Sequence, residues 1–253
     1  NGHLSLVRAA KAQCDAVAVS IFVNPTQFGP NEDFGKYPRS FERDRELLER
    51  EGVDLLFVPS VEEMYPAGAV TWVTVEGLSQ RLCGRSRPTH FRGVTTVVAK
   101  LFHIVEPDLA FFGQKDAAQC TILRKMVRDL DLPVEIVVCP IVREPDGLAM
   151  SSRNAYLSAA QRQSATVLHR SLRRVQELAE KGERRSAKLI DAAQRIFLEE
   201  PDVRLDYIEI VDNDTLEAVE DTSRGALVAV AAYLGTTRLI DNLLLLPAGD
   251  AAV

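Results

Sequence analysis

Three short polar runs carry residue types suited to phosphorylated ligands. Each falls where an apolar run ends or a helical pattern begins. Gly2-His3 opens a helical pattern made by Leu4, Val7, Ala10 and Lys11. The first turn of a helix presents N–H groups without intrahelical partners and favours anions, so an imidazole there is placed to donate to a phosphate. Gly113-Gln114-Lys115-Asp116, with Gln119 on the following turn, comes off the apolar run 109–112. Gly lets a ligand approach the backbone, Lys is a point charge for a phosphoryl oxygen, and Asp116 suits ribose hydroxyls. Met150-Ser151-Ser152-Arg153-Asn154 follows Asp146-Gly147. Two hydroxyls, a guanidinium and loop amides make a grip for polyphosphate. Asn24 and Gln27, in Asn24-Pro25-Thr26-Gln27, add neutral donors and acceptors for a hydroxylated or carboxylate substrate.

Each group also has a plain structural reading, and the residues alone leave both open. Asn1-Gly2 reads equally as a helix cap with His3 solvated, Asp116 as an N-cap, and Lys115 as a surface charge. The Ser151-Ser152 run reads as a turn capping the next helix, and Asn24 as a residue holding its own turn. His90, in Arg87-Pro88-Thr89-His90-Phe91, precedes a helical pattern and is a further candidate to face a ligand. His103 and His169 lie within helical patterns and read as structural. Arg170, Arg173 and Arg174 read as a solvated helix face, since Glu177 and Glu180 follow. Asp44 reads as one charge among many on a solvated helix. A P-loop, a GxGxxG after a strand, HExxH, GxSxG and the kinase motifs are all absent from the sequence.

Holding such groups at strand ends requires an alternating α/β chain, and the hydrophobic pattern provides one. Strands are expected over 16–23, 53–58, 109–112 and 134–138, and a short edge strand over 71–75. Helices are expected over 39–51, 93–105 and 117–130. The near-continuous apolar strands predict a buried parallel sheet with helices on both faces, whose ligands bind beyond the carboxyl ends of the strands. Beyond about residue 140 the pattern changes. One long helix over 158–181, with Ser158 as N-cap and Gly182 past its end, precedes a helix over 186–200. Strands over 205–211, 226–233 and 237–246 follow, which predicts a small antiparallel sheet.

Composition narrows the function classes. The 253 residues are 46% hydrophobic and 26% charged, which excludes a disordered chain or a rod. Thirty Lys and Arg against 36 Asp and Glu give a formal charge of -6, against broad nucleic-acid binding. Cys14, Cys83, Cys120 and Cys139 form no CxxC, so neither a zinc knuckle nor a secreted disulfide framework is indicated. No apolar run approaches the roughly 20 residues that span a bilayer. A cytoplasmic protein without membrane contact is the expectation.

The runs taken together resemble one family, the pantothenate synthetases (pantoate–β-alanine ligases), of the HxGH nucleotidyltransferase superfamily. Gly2-His3 is similar to the second half of the HxGH signature. Ser20-Ile21-Phe22-Val23-Asn24-Pro25-Thr26-Gln27-Phe28 resembles the SIFVNPxQF segment. Tyr37-Pro38-Arg39, Val61-Glu62-Glu63-Met64-Tyr65-Pro66, and Arg87 through Val94 follow in the family's order. So do Phe112 through Asp116 with Gln119, and Asp146 through Asn154. The resemblance implies a Rossmann-like domain over 1–140 that binds nucleotide and pantoate. It implies a smaller α+β domain over 141–253 that closes over the ATP site, and a cytoplasmic homodimer. The implied reaction condenses (R)-pantoate with β-alanine through a pantoyl adenylate, releasing pyrophosphate and AMP.

The resemblance also implies roles. His3 and Lys115 are catalytic. Gly2, His3, Gly113, Gln114, Lys115, Asp116, Val142, Met150, Ser151, Ser152 and Arg153 bind ATP. Gln27, Gln119 and Asn24 bind pantoate or β-alanine, and Asp44 meets Mg²⁺, through water if not directly. The family pattern further places a first strand, a PTMGxLH-like segment and another His two residues before Gly2. This sequence opens at Asn1, and the expectation is a chain lacking residues of the native protein, with an exposed sheet edge and one phosphate ligand fewer.

Overall fold

A computed structural model describes residues 2–30 and 32–248. It divides into two compact units: Asn1–Gln114 with Ile122–Pro140, and Lys115–Thr121 with Ile141–Val253.

In the first unit, helix α1 (Gly2–Lys11) buries Val7 and Ala10 and places Arg8 and Lys11 in its last turn, where cations suit the helix dipole. Both side chains reach beyond the helix. Arg8 pairs with Glu51, and Lys11 lies 3.1 Å from Asp54, whose carboxylate also accepts the Val17 N–H at 2.8 Å. These contacts anchor strand β1 (Ala18–Ser20). Helix α2 (Phe41–Arg50) is the crossover that parallel neighbours need, and it leads to β2 (Leu55–Phe57). Ala18 then stands beside Leu55 and Ser20 beside Phe57. Helix α3 (Val61–Met64) starts on a reciprocal Ser60–Glu63 capping box. The short α4 (Cys83–Ser86) precedes α5 (His90–Val105), which buries residues around most of its circumference. Strand β3 (Leu109–Gly113), helix α6 (Ala117–Asp129), which belongs to this unit from Ile122 on, and β4 (Glu135–Cys139) complete a second parallel pair, Leu109 beside Glu135 and Gly113 beside Cys139. Helix α1 packs on β3 and β4.

The second unit has its own core. Helix α7 (Ala159–Ser164) starts on a Ser158–Gln161 capping box, and α8 (Val167–Glu180) and α9 (Ser186–Phe197) follow. Helix α8 lies against β6 (Ala226–Leu234) and β7 (Thr237–Leu245), and α9 lies against β5 (Val203–Val211). The sheet is antiparallel in the order β5-β6-β7. Leu168, Val175, Leu189, Val228 and Val230 are fully excluded from water at its centre.

The mixed α/β class, with parallel pairs and a separate antiparallel sheet, is the one read from the sequence. Several element-level expectations are corrected. The strand expected over 16–23 is only three residues long, and β1 is exposed at Ala18 and Ser20. After the Ile21 N–H reaches the Phe57 carbonyl at 2.9 Å, its partner strand meets Pro59, which has no N–H to extend a ladder. The parallel strands form two separate two-stranded ladders among the described residues, not one sheet, and β3 is half-buried along its whole length.

No strand forms over 71–75, because threonines of α5 take over the hydrogen bonds of Val73. Thr96 Oγ1 accepts the Val73 N–H at 3.0 Å, and Thr95 Oγ1 lies 2.7 Å from the Val73 carbonyl. The helix expected over 158–181 breaks at Ala165-Thr166. There the Thr166 and Leu168 N–H groups bond three residues back, at 3.2 and 3.3 Å, and the Thr166 hydroxyl also binds the Gln163 carbonyl. The break lets Ala165, Val167 and Leu168 all reach zero exposure.

Gly93, in the first turns of α5, sets how closely that helix meets the loop after β1. A Cβ there would stand 2.5 Å from the Thr26 carbonyl oxygen, which is backbone and has little room to yield. Gly93→Ala is expected to lower stability by about 1–3 kcal/mol through overpacking. A urea midpoint unchanged from wild type would show that the loop moves aside freely.

Candidate active site

In the first unit, the loop after β1 is a single 3-10 turn over Pro25–Gln27, with Asn24 at its N-cap and Pro at its first position. Asn24 is buried, and its side chain is fully engaged. Oδ1 accepts the Thr26 N–H at 3.2 Å and the Thr26 hydroxyl at 2.9 Å, while Nδ2 donates to the Gly93 carbonyl at 3.0 Å. These bonds make Asn24 a residue that holds the turn. Gln27 is held by its backbone. Its carbonyl accepts from Arg87 Nη2 at 3.0 Å and faces His90 Nδ1 at 2.9 Å. That contact assigns the proton of a neutral His90 to Nδ1, leaving Nε2 to accept from Arg87 Nη1 at 3.2 Å. The half-buried side-chain amide of Gln27 makes no hydrogen bond to another described residue.

Arg87 is the hub of this cluster, and the sequence reading passed over it. Its guanidinium grips Glu32 in a fork, Nε to Oε1 at 2.7 Å and Nη2 to Oε2 at 2.5 Å. Burial pushes the Glu32 carboxyl up, but the Arg87 hydrogen bonds and charge outweigh it and hold Glu32 below the usual glutamate range. Glu32 and Arg87 are 55 positions apart, so no local pattern announces the pair.

His3 is exposed in the first turn of α1, a turn with no acidic residue to compete with an anion. Asp44 is exposed in the first turn of α2. No group of three or more His, Cys, Asp or Glu among the described residues is placed to hold a metal ion. A lone carboxylate fits Mg²⁺ only when phosphate oxygens and water supply the other ligands. Gly113 ends β3, and Gln114 opens the 3-10 turn Gln114–Asp116.

In the second unit, Lys115 is mostly buried, with Nζ 3.7 Å from Asp116 Oδ1. Its carbonyl accepts Asn242 Nδ2 at 3.0 Å. Gln119, on the first turn of α6, is half-buried, and its amide makes no hydrogen bond to another described residue. The segment is tied down again where Thr121 Oγ1 donates to the Asn213 carbonyl at 2.8 Å.

Residues 142–150 fold back on themselves as a tight arm. The Met150 N–H meets the Val142 carbonyl at 2.9 Å, Arg143 bridges Ala149, and the Glu144 N–H meets Leu148 at 2.8 Å. The Val142 carbonyl thereby helps to close the arm. Gly147 makes the turn at φ +92°, against the His169 ring. Burial, seconded by the Arg143 charge, pushes the His169 imidazole below its usual range. Past the arm, Ser151 Oγ accepts the Arg153 N–H at 3.2 Å and caps the 3-10 turn Ser152–Tyr156. A hydroxyl that accepts a cap bond keeps its own proton to donate, so the capping and phosphate-gripping readings of Ser151 are compatible.

Strand-end loops offering a lysine, two hydroxyls and uncommitted amides are the equipment of a nucleotide-using α/β enzyme. The chain matches the family described as Pantoate-beta-alanine ligase over residues 1–244. It is 67% identical over 244 residues to the pantothenate synthetase of Acidobacterium capsulatum, covering 96% of this chain and 82% of that protein. It is 61% identical over 250 residues to that of Koribacter versatilis, covering 99% and 86%. Its fold matches the crystal structure of pantothenate synthetase from Thermus thermophilus with a TM-score of 0.95 at 51% identity, covering 97% of this chain and 89% of that one. A pantoate-beta-alanine ligase from Francisella tularensis, complexed with beta-gamma ATP and beta-alanine, matches with a TM-score of 0.78 at 35% identity, covering 96% and 85%. The chain belongs to the pantoate–β-alanine ligase family. It is an ATP-dependent ligase that joins pantoate to β-alanine.

The Glu32–Arg87 pair predicts a pH signature. Glu32→Gln keeps the shape and removes the charge, and is expected to cost about 1.5–3 kcal/mol at neutral pH. A carboxyl whose folded value is depressed stabilises fully above its unfolded value, about 4.3, and loses that contribution as pH falls through the folded value. The stability difference between wild type and variant should therefore narrow on acidification through that window. A difference independent of pH, measured by urea unfolding, would mean that the charge does not matter.

Proposed function

We propose that the ligation runs in two steps through a pantoyl adenylate. In the first step a pantoate carboxylate oxygen attacks the α-phosphorus of ATP. The new O–P bond forms as the bond to the β-phosphate oxygen breaks, and pyrophosphate leaves. In the second, the β-alanine amine attacks the acyl carbon. A C–N bond replaces the C–O bond to AMP, and the amine loses a proton.

The first step brings anion to anion, so catalysis must come from placed positive charge and from positioning. His3 and Lys115 stabilise charge at the reacting phosphate. Met150, Ser151, Ser152 and Arg153 hold the β- and γ-phosphates, joined by the N–H groups at Gly2. Gly113 and Asp116 take the ribose, Gln114 belongs to the same ATP-binding set, and Val142 meets adenine through its backbone. Gln27 and Gln119 bind pantoate: neutral amides orient a carboxylate and hydroxyls without quenching the nucleophile. Asn24 acts by holding the turn that presents Gln27. Asp44 would be the protein carboxylate for Mg²⁺, through water if not directly, and the ion would supply charge neutralisation at the triphosphate. The reading includes a cytoplasmic homodimer. No helix among the described residues is long and apolar enough to cross a membrane.

The observation that carries this reading is Lys115. It follows the end of β3 by two residues, its carbonyl is held by Asn242, and among the described residues its ammonium pairs with a carboxylate only at 3.7 Å, that of Asp116. Lys115→Ala is expected to lower pantoate-dependent pyrophosphate release by about 10²–10³-fold, with circular dichroism and melting temperature near wild type. Near-normal release in that variant would remove Lys115 from the mechanism. Wild-type release that occurs with pantoate alone, followed by AMP and pantothenate once β-alanine is added, tests the two-step order. ATP binding without any release would favour a binding-only protein, and release with another acceptor would favour a different nucleotidyltransferase.

A further inference from the structure

Asp241 and Asn242 sit next to each other on β7, and both are almost wholly buried, at 2% and 3% exposure. Burying two polar side chains in the middle of a strand is unfavourable unless each finds partners. Successive strand residues point to opposite faces, so the two can serve different segments from one point. Asp241 takes the Arg143 fork, Oδ2 to Nη1 at 2.6 Å and Oδ1 to Nη2 at 3.0 Å, and also accepts the Asn242 N–H at 2.8 Å. Arg143 Nη1 in turn donates to the Gly147 carbonyl at 3.0 Å, at the tip of the arm that leads into Ser151–Arg153. Asn242 Nδ2 donates to the Lys115 carbonyl at 3.0 Å, across 127 positions of sequence. All of these contacts lie within the second unit.

We propose that Asn242 is a positioning residue for adenylation, acting through the Lys115 backbone; the proposal rests on the reading of Lys115 given above. A lysine ammonium rides on a flexible four-carbon stem, so its placement begins with its peptide plane. The Asn242 amide fixes that plane. The adjacent Asp241–Arg143 pair fixes the arm from the same strand, so the lysine and the phosphate-gripping loop share one reference. Displacing a charge by about 1 Å from a transferring phosphoryl group can lower a rate about 10²-fold.

The test uses Asn242→Leu, which keeps the volume and loses the donor, and Asn242→Ala, which leaves room for water. Pyrophosphate release with ATP, Mg²⁺ and pantoate is measured as a function of each substrate, in the wild-type and Lys115→Ala backgrounds. In the wild-type background kcat should fall about 10–100-fold while KM for ATP and for pantoate stays within about twofold, the mark of an interaction that matters in the transition state. In the Lys115→Ala background the same substitutions should change kcat by less than about twofold, because the group they position is gone. Three results overturn the proposal: an unchanged kcat, a rise in KM without a fall in kcat, or an equal fall in both backgrounds. If neither variant accumulates as folded protein by circular dichroism, Asn242 serves folding and the proposal fails. A near-normal Lys115→Ala enzyme would instead sink the reading of Lys115, and that result is visible before Asn242 is substituted.

Discussion

The buried Asp241–Arg143 ion pair is the constraint around which the second unit is arranged. Burying a carboxylate to 1% exposure with no partner would cost several kcal/mol. The partner here is bidentate, and the carboxylate also takes a backbone N–H. Once Arg143 is committed to Asp241, its position fixes the arm, since the same guanidinium holds the Gly147 carbonyl. The His169 ring occupies the space where any side chain at 147 would go. Replacing the pair with apolar residues would fill the volume as well. It would not supply the directional hydrogen bonds that set the loop running from Met150 to Arg153.

The first unit solves a similar problem with a different device. The loop after β1 cannot lean on a long strand, because β1 pairs over three residues only. It is held instead from α5 and the segment before it. Gly93 lets the helix approach to contact, Asn24 closes the gap with its amide, and Arg87 and His90 converge on the Gln27 carbonyl. The Glu32 carboxylate neutralises the cation that makes this grip. Backbone groups of the loop are thus restrained while the Gln27 amide makes no hydrogen bond to another described residue. Gln119 shows the same combination on α6.

For an adenylating ligase this economy is chemically sensible. The chemistry is carried largely by ATP itself, and the protein must supply charge and alignment. Alignment depends on groups that do not move when the substrate arrives. Lys115 and the arm leading to Ser151 are braced by Asn242 and by the Asp241–Arg143 pair.

The order of elements and the identity of the chemistry-bearing runs were legible in the sequence. Apolar runs punctuated by Gly and Pro mark β2 and β3, and Ser158 followed by Gln161 marks a helix start, because turn and cap chemistry is local. The family was legible because several such runs, Ser151-Ser152-Arg153 among them, stand along this chain in the family's order. What could not be read is what depends on partners far along the chain. Val73 has the alternating neighbours of a strand, yet threonines of α5 claim its backbone. Thr166 looks helical in sequence, yet burial of Ala165 and Leu168 bends the chain there. Nothing near Asn24 in sequence announces that its amide donates to the carbonyl of Gly93, 69 residues away. Sequence by itself determined which residues could do chemistry, since that is a property of side-chain type. Only the tertiary structure decided which of them are free to do it, because hydrogen-bond partners such as Glu32 for Arg87, or Asn242 for Lys115, are chosen by proximity in space and leave no trace in local pattern.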